Sequence, residues 1–347
     1  MIKITTLLYI LVALLVFGLL IFIHEGGHFL AARICKVTVK EFAIGMGPKI
    51  FSRTSKKSGT KYALRLLPIG GFVSMEGEDE DSEDPNGFCN KSVPKRMLIV
   101  IAGAFMNILL GFILMFVLVF SQKTLVSNKI GEFNDSSMSS QKLMVGDTVV
   151  KVDGTTVHTG NEVVYEIMNK GDEPIDIVVV RDGEKITVED VVFPNFADSG
   201  VVFGECDFKL YRDEENFGNY IKHAYFRSVS TVKMVYDSLF NLISGKYGMD
   251  AVSGPVGVTE AVGEAARTGF DTLLYIVTVI SINLGIFNLL PFPALDGGRF
   301  AFLLVEGIRR KPIDRRIEGY VNFVGIVLLF GFMLLVTFKD VIKIILR

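Results

Sequence analysis

The chain has 347 residues, half of them hydrophobic, with a mean hydropathy of +0.44 and a formal net charge of −2. That is too apolar for an ordinary soluble enzyme, and with no basic tract nothing points to nucleic acid as a partner. Its three cysteines, Cys35, Cys89 and Cys206, are scattered without a CxxC, so a disulfide framework and a thiolate zinc site are both unsupported.

The first element is the apolar run 4–23, long enough to cross a membrane. At its end stands His24-Glu25-Gly26-Gly27-His28. On a helix, His24 and His28 are four residues apart, so both imidazoles share a face and can grip one metal ion. Glu25 is then placed to handle a water proton. Ionisable groups where lipid is expected are costly, and an intramembrane site is the default hypothesis. The bland alternative is a helix whose polar residues face a bundle interior. The run is not read as a cleaved signal peptide: its basic flank is only Lys3, and cleavage near Ala31-Ala32 would discard both histidines.

Three further segments, 97–120, 273–290 and 321–338, are predicted to span a bilayer, 273–290 being closed by Pro291 and Pro293. Segment 33–96 carries twelve Lys and Arg, and the loop after the third span holds Arg299, Arg309, Arg310, Lys311, Arg315 and Arg316. Both are expected on the cytoplasmic side, with the termini and 121–270 outside. The acidic run 76–84 reads as a solvated, flexible surface.

Between the second and third spans the pattern becomes β-rich. Val149–Val152 reads as a strand, 161–169 as a short helix, and 175–181 with 185–193 as strands joined at Asp182-Gly183. The run from Val145-Gly146-Asp147 to Asp153-Gly154-Thr155 resembles the bacterial PDZ pattern, with Lys142-Leu143 standing where Gly-Leu is usual. Such a domain binds extended peptides by strand addition; a structural plug without a peptide ligand is the alternative. Segment 217–243 has apolar residues at helical spacing and is expected to lie on the outer membrane surface. His158 and His223 read as surface or core-edge residues. The expected domains are 1–120, 121–200, 201–270 and 271–347. The expected fold class is an α-helical multi-pass membrane protein of four transmembrane helices with one inserted PDZ-like, β-rich domain and a short membrane-associated β-hairpin.

Zinc catalysis normally takes three protein ligands and leaves a position for water. No His follows His28 until His158, so a carboxylate is the expected third ligand. Asp296, in Asn288-Leu289-Leu290-Pro291-Phe292-Pro293-Ala294-Leu295-Asp296-Gly297-Gly298-Arg299, is the candidate; read alone, it could equally cap a helix starting near Gly297.

HExxH in the first span with Asn-x-x-Pro-x-Pro-x-Leu-Asp-Gly late in the chain resembles the site-2 protease family of intramembrane zinc metalloproteases, closest to the bacterial PDZ-containing branch. Phe42-Ala43-Ile44-Gly45-Met46-Gly47-Pro48, Leu67-Pro68-Ile69-Gly70-Gly71-Phe72-Val73-Ser74-Met75 and Ser253-Gly254-Pro255-Val256-Gly257 match in order. The resemblance implies one zinc ion per chain, with ligands His24, His28 and Asp296, catalytic acid/base Glu25, and substrate contacts Asn288 and Asn283. It also implies a membrane-dipping hairpin at Gly70, Gly71, Phe72 and Val73. An exposed edge at 69–75 could receive an unwound substrate strand; a plain cytoplasmic hairpin is the alternative. Implied substrates are single-span membrane proteins already trimmed on the outer side, such as anti-sigma factors or remnant signal peptides, in a bacterial cytoplasmic membrane. A metal-ion transporter and a catalytically silent scaffold are the competing classes. The first would spread polar residues through the spans, yet 97–120 has only Asn107; the second has no use for Glu25.

Overall fold

The computed structural model describes residues 4–78, 80–198, 201–249 and 252–345, so Lys3, and Asp79 of the acidic run, lie outside the described residues. The elements in chain order are α1 (Ile4–Ile34), β1 (Val39–Thr54), β2 (Lys61–Met75), α2 (Val93–Gln122), β3 (Val126–Phe133), β4 (Thr148–Val152), β5 (Thr155–Thr156), α3 (Gly160–Lys170), β6 (Ile175–Arg181) and β7 (Glu184–Val191). They continue with β8 (Asn195–Asp198), β9 (Val201–Gly204), β10 (Phe208–Arg212), α4 (Phe217–Ile243), α5 (Pro255–Thr268), α6 (Phe270–Leu289), α7 (Asp296–Arg309) and α8 (Arg315–Ile345). Among the described residues four helices, α1, α2, α6 and α8, are long and apolar enough to cross a membrane. The chain divides into two compact units, one of residues 1–114 with 253–347 and one of residues 115–252.

In the first unit, α1 runs straight through the HEGGH motif before it stops. Its end is a left-handed Lys36 (φ 56°), with Cys35 N–H and Val37 N–H donating to the carbonyls of Ala31 and Ala32. Helix α2 starts with Pro94 in its first turn, where a missing N–H does no harm. Helix α6 ends at Leu289 because Leu290 precedes Pro291 and takes an extended conformation. Helix α5 is fastened to α8 by a buried carboxylate: Gly254 and Gly257 N–H both donate to Asp340 Oδ2, at 2.8 and 2.9 Å.

Strands β1 and β2 form an antiparallel pair that folds back on itself. Residues 41–44 pair with 71–74 on one side and with 61–64 on the other, and 51–54 pair again with 61–64. Residues 71–75 are therefore an edge, with a strand partner on one side only among the described residues. In the acidic stretch after β2, Glu80, Asp81 and Glu83 are exposed as expected, while Glu76 and Glu78 are half-buried and paired. Glu76 pairs with Lys40, and Glu78 accepts from Arg299 Nη1 at 2.6 Å and from Met75 N–H at the end of β2.

The second unit is built on a six-stranded sheet with the order β10-β3-β4-β6-β7, β5 pairing β4. Both predicted Asp-Gly turns carry the left-handed pair that a two-residue hairpin requires: Asp153 and Gly154 (φ 42° and 76°), Asp182 and Gly183 (φ 51° and 85°). Alternate residues Ile175, Ile177 and Val179 point into a core shared with Val163 and Ile167 of α3. The sheet does not stop at residue 200, where the sequence boundary was drawn. Strand β10 pairs β3 and sends Phe208 into the same core, so 201–212 belongs with the strands and not with a helical region. A five-residue strand gives too short an alternation to be seen in the sequence. Helix α4 fills the predicted 217–243, and Asn216 caps it by accepting from Asn219 N–H. Lys233 of α4 bonds Glu166 of α3 at 2.7 Å, and Tyr165 OH donates to Asp237. His158 stacks on Phe226, and His223 is buried against Asp213 at 2.8 Å.

Candidate metal centre

Helix α1 supplies two donors by its own geometry. Four residues make slightly more than a turn, so the His24 and His28 rings lie on one face, 4.9 Å apart and nearly perpendicular. The third donor arrives from α7. The chain reverses after α6 through the Pro291–Pro293 loop, and Leu295, not Asp296, takes the N-cap position of α7 with no side-chain cap. Asp296 is thereby left free of the capping role and turns its carboxylate to the histidines.

The three donor atoms form a nearly equilateral triangle. His24 Nε2 and His28 Nε2 are 3.2 Å apart, and Asp296 Oδ2 is 3.1 Å from the first and 3.3 Å from the second. Donors about 2.0–2.1 Å from a shared tetrahedral zinc stand roughly 3.3–3.4 Å apart, so the triangle fits such an ion. Asp296 Oδ2 is buried and makes no aligned hydrogen bond, although two ring nitrogens face it. Three such atoms converging on one point suit a cation. Among the described residues this is the one group of three His, Cys, Asp or Glu side chains spaced to hold a metal.

One face of α2 completes the wall. His28 Nδ1–H donates to the Ile99 carbonyl at 2.8 Å, which leaves the Nε2 lone pair for a metal. Gly103, one turn on, has no side chain because a Cβ there would run into Nε2 of both histidines. Gly27 is bare for the same reason on the other side, where a Cβ would strike the Ala102 carbonyl. Asn107, a further turn on, lies with its carboxamide 3.3 Å from His24 Nδ1. Neither Gly103 nor Asn107 is among the site residues predicted from the sequence; glycine and asparagine four apart inside an apolar helix are the signal that was available.

The other predicted residues fall in two groups. Gly71 lies against the site: a Cβ on it would sit 3.0 Å from Glu25 Cγ and from the Ala43 carbonyl oxygen. Gly70 is left-handed (φ 80°), Phe72 stacks on the Arg65 guanidinium, and Val73 is buried in the core that joins the sheet to α1. Asn288 donates to the Leu284 carbonyl of its own helix at 2.9 Å, and Asn283 is half-buried on α6. One turn past Asp296, Arg299 grips both the carboxylate and the carbonyl of Glu78, which ties α7 to the base of β2. Arg96 holds Glu306 of the same helix through two bonds, at 2.6 and 3.1 Å. These pairs line a polar cavity of about 690 Å³ that contains none of the three donors.

Known proteins resemble this chain along most of its length. The model of Peptidase family M50 matches residues 12–332. The chain is similar to a candidate zinc metalloprotease of Clostridium acetobutylicum, with 38% identity over 96% of this chain and 97% of the relative. It is similar to zinc metalloprotease RasP of Geobacillus kaustophilus, with 30% identity over 97% of this chain and 99% of the relative. It is also similar to the regulator of sigma-W protease RasP of Bacillus subtilis, with 30% identity over 94% and 97%.

Proposed function

Because the chain belongs to peptidase family M50, the site-2 protease family, we propose that it is a zinc metalloprotease that cuts single-span membrane proteins in or near their spanning segment. In this reading His24, His28 and Asp296 hold the metal and Glu25 is the acid/base. The observation that carries it is the triangle of converging donors, in which the buried Asp296 Oδ2 has no aligned hydrogen bond among the described residues. A zinc ion held there supplies Lewis acidity, bringing a water toward pKa ~7 and polarising a carbonyl.

The chain's own residues do the rest. Glu25 takes a proton from the attacking water and returns it to the leaving amine nitrogen. The Asn288 carboxamide, exchanging its bond to Leu284 for one to substrate, holds the backbone beside the reacting carbonyl. A substrate helix must unwind before attack, and in lipid each freed backbone group needs a partner. The open edge at 71–75 provides such partners by strand addition, and Gly71 lets the added strand approach Glu25 closely. Asn283, Gly70, Phe72 and Val73 belong to this substrate path. The basic loops 33–96 and 299–316 favour a site toward the cytoplasmic side, with both termini and residues 121–270 outside.

Substrates of this kind, anti-sigma factors or remnant signal peptides, would arrive already trimmed. We read the β-rich unit as PDZ-like and as a screen against bulky outer domains. Deleting its whole sheet, 126–212, should relax the demand for trimming while zinc binding persists. The central test is mass spectrometry of membrane peptides from cells with the active protein or with Glu25→Gln. Peptides ending inside spanning segments should appear only with the active form; identical peptide sets would sink the reading.

A further inference from the structure

A histidine that binds metal through Nε2 must carry its proton on Nδ1, and that N–H needs an acceptor when it is buried. His28 has one in the Ile99 carbonyl. His24 has no backbone carbonyl in this role. What faces its Nδ1 is the carboxamide of Asn107, a residue with 0% exposure on the only strongly polar position of its span.

The arrangement in the structure is a mismatch. Asn107 Nδ2, a donor, is the atom 3.3 Å from His24 Nδ1, and Asn107 Oδ1 is buried with no partner among the described residues. A buried amide oxygen left unpaired is destabilising. Rotating the terminal amide by half a turn exchanges the two atoms. Oδ1 then accepts from His24 Nδ1–H, the orphan is satisfied, and the His24 Nε2 lone pair points at Asp296 and His28. The backbone does not have to move: Asn107 is anchored through its own carbonyl, which accepts from Ser281 Oγ at 2.7 Å. Ile99, Gly103 and Asn107 lie four residues apart along one stripe of α2, so a single helix face offers an acceptor to each histidine and a gap between them.

We propose that Asn107 is a positioning residue that accepts from His24 Nδ1–H through its side-chain oxygen and so fixes the ring for metal binding through Nε2. This rests on the reading of His24, His28 and Asp296 as a zinc site.

The test is zinc retention against a graded chelator, on the purified full-length protein in detergent. Asn107→Leu, close in volume but without an acceptor, should lower zinc affinity about 10–100-fold. Asn107→Asp keeps an oxygen at that point and should stay within about threefold of the parent, a rescue that a packing role would not give. Native affinity in Asn107→Leu, or equal losses in the Leu and Asp variants, overturns the proposal. His28→Ala is run in parallel. If it too retains zinc, the site reading itself fails; if it loses zinc while Asn107→Leu does not, only the proposal fails. Should the Leu variant not fold, ring-nitrogen NMR of the zinc-loaded parent decides. Metal at His24 Nε2 with an exchange-protected Nδ1–H is expected, and a freely exchanging Nδ1–H or metal at Nδ1 overturns it.

Discussion

Two carboxylates, one in each unit, show how differently this chain treats its polar groups. Asp207, in the β-rich unit, is 3% exposed and accepts from Met138 N–H, Ser139 N–H and the Ser139 hydroxyl. Its neighbour in type, Asp147, takes both arms of Arg181 and the Met144 N–H. Asp296, in the helical unit, points an equally buried oxygen at two imidazoles and has no aligned hydrogen bond there. Native proteins pair nearly all such atoms. Where the accounts close, as at Asp207, the carboxylate serves the fold. Where three acceptors converge unpaired, as at Asp296, the missing partner is something the chain itself does not contain.

The sharpest way to break this contrast is to exchange the two losses. Asp296→Ala, like His24→Ala and His28→Ala, should abolish tight zinc binding and lower proteolysis by about 10³-fold or more while the protein stays folded. Metal analysis and cleavage of a single-span reporter check this, and an active Asp296→Ala would remove the third ligand. Glu25→Gln should lower proteolysis by about 10²–10⁴-fold with zinc content intact, because it removes the base and spares the ligands. Asp207→Ala should do the reverse. It should destabilise the β-rich unit by about 2–4 kcal/mol, since three donors lose their acceptor, and leave zinc in place. Limited proteolysis across a urea series, with metal analysis alongside, separates the two.

The smallest effect is at Cys206. Burial pushes its thiol up to about 11. The folded state thus favours the neutral thiol. That preference is fully present below the unfolded thiol's pKa near 9 and is lost as pH rises through 11. Maleimide labelling at pH 8 should run roughly 100-fold slower than at an ordinary exposed thiol, and reach that rate only after unfolding. For the same reason Cys206 is a poor reporter of sidedness. A cysteine placed at the exposed Glu184 is better, and should label from outside intact cells if the β-rich unit is extracytoplasmic.

Legibility in the sequence followed the length of each signal. Four apolar runs and two Asp-Gly turns could be read directly, because each is a local pattern with one physical meaning. The pair His24 and His28 was legible from helical spacing. Asp296 was not separable from a helix cap by spacing alone; it took the resemblance to a family to favour it, and the fold then gave the cap position to Leu295. Asn107 was visible only as the lone polar residue of an apolar span, which counted against a transport path. Its nearness to His24 depends on how α1 crosses α2, and that crossing is set by Gly27 and Gly103 meeting the opposite helix. Strand β10 and the doubled pairing of β1 with β2 were hidden because both arise from contacts between segments with weak patterns of their own.

The donors of the metal centre come from opposite ends of the chain. His28 and Asp296 are separated by about 270 residues, which a ribosome adds at roughly 5–20 per second. For an interval on the order of tens of seconds, the nascent chain therefore carries the HExxH helix in the membrane without its third donor. No amino-terminal fragment that ends before Asp296, whether from stalled synthesis or from premature degradation, can assemble the full triangle. The metal centre is in this way incomplete until synthesis has reached α7.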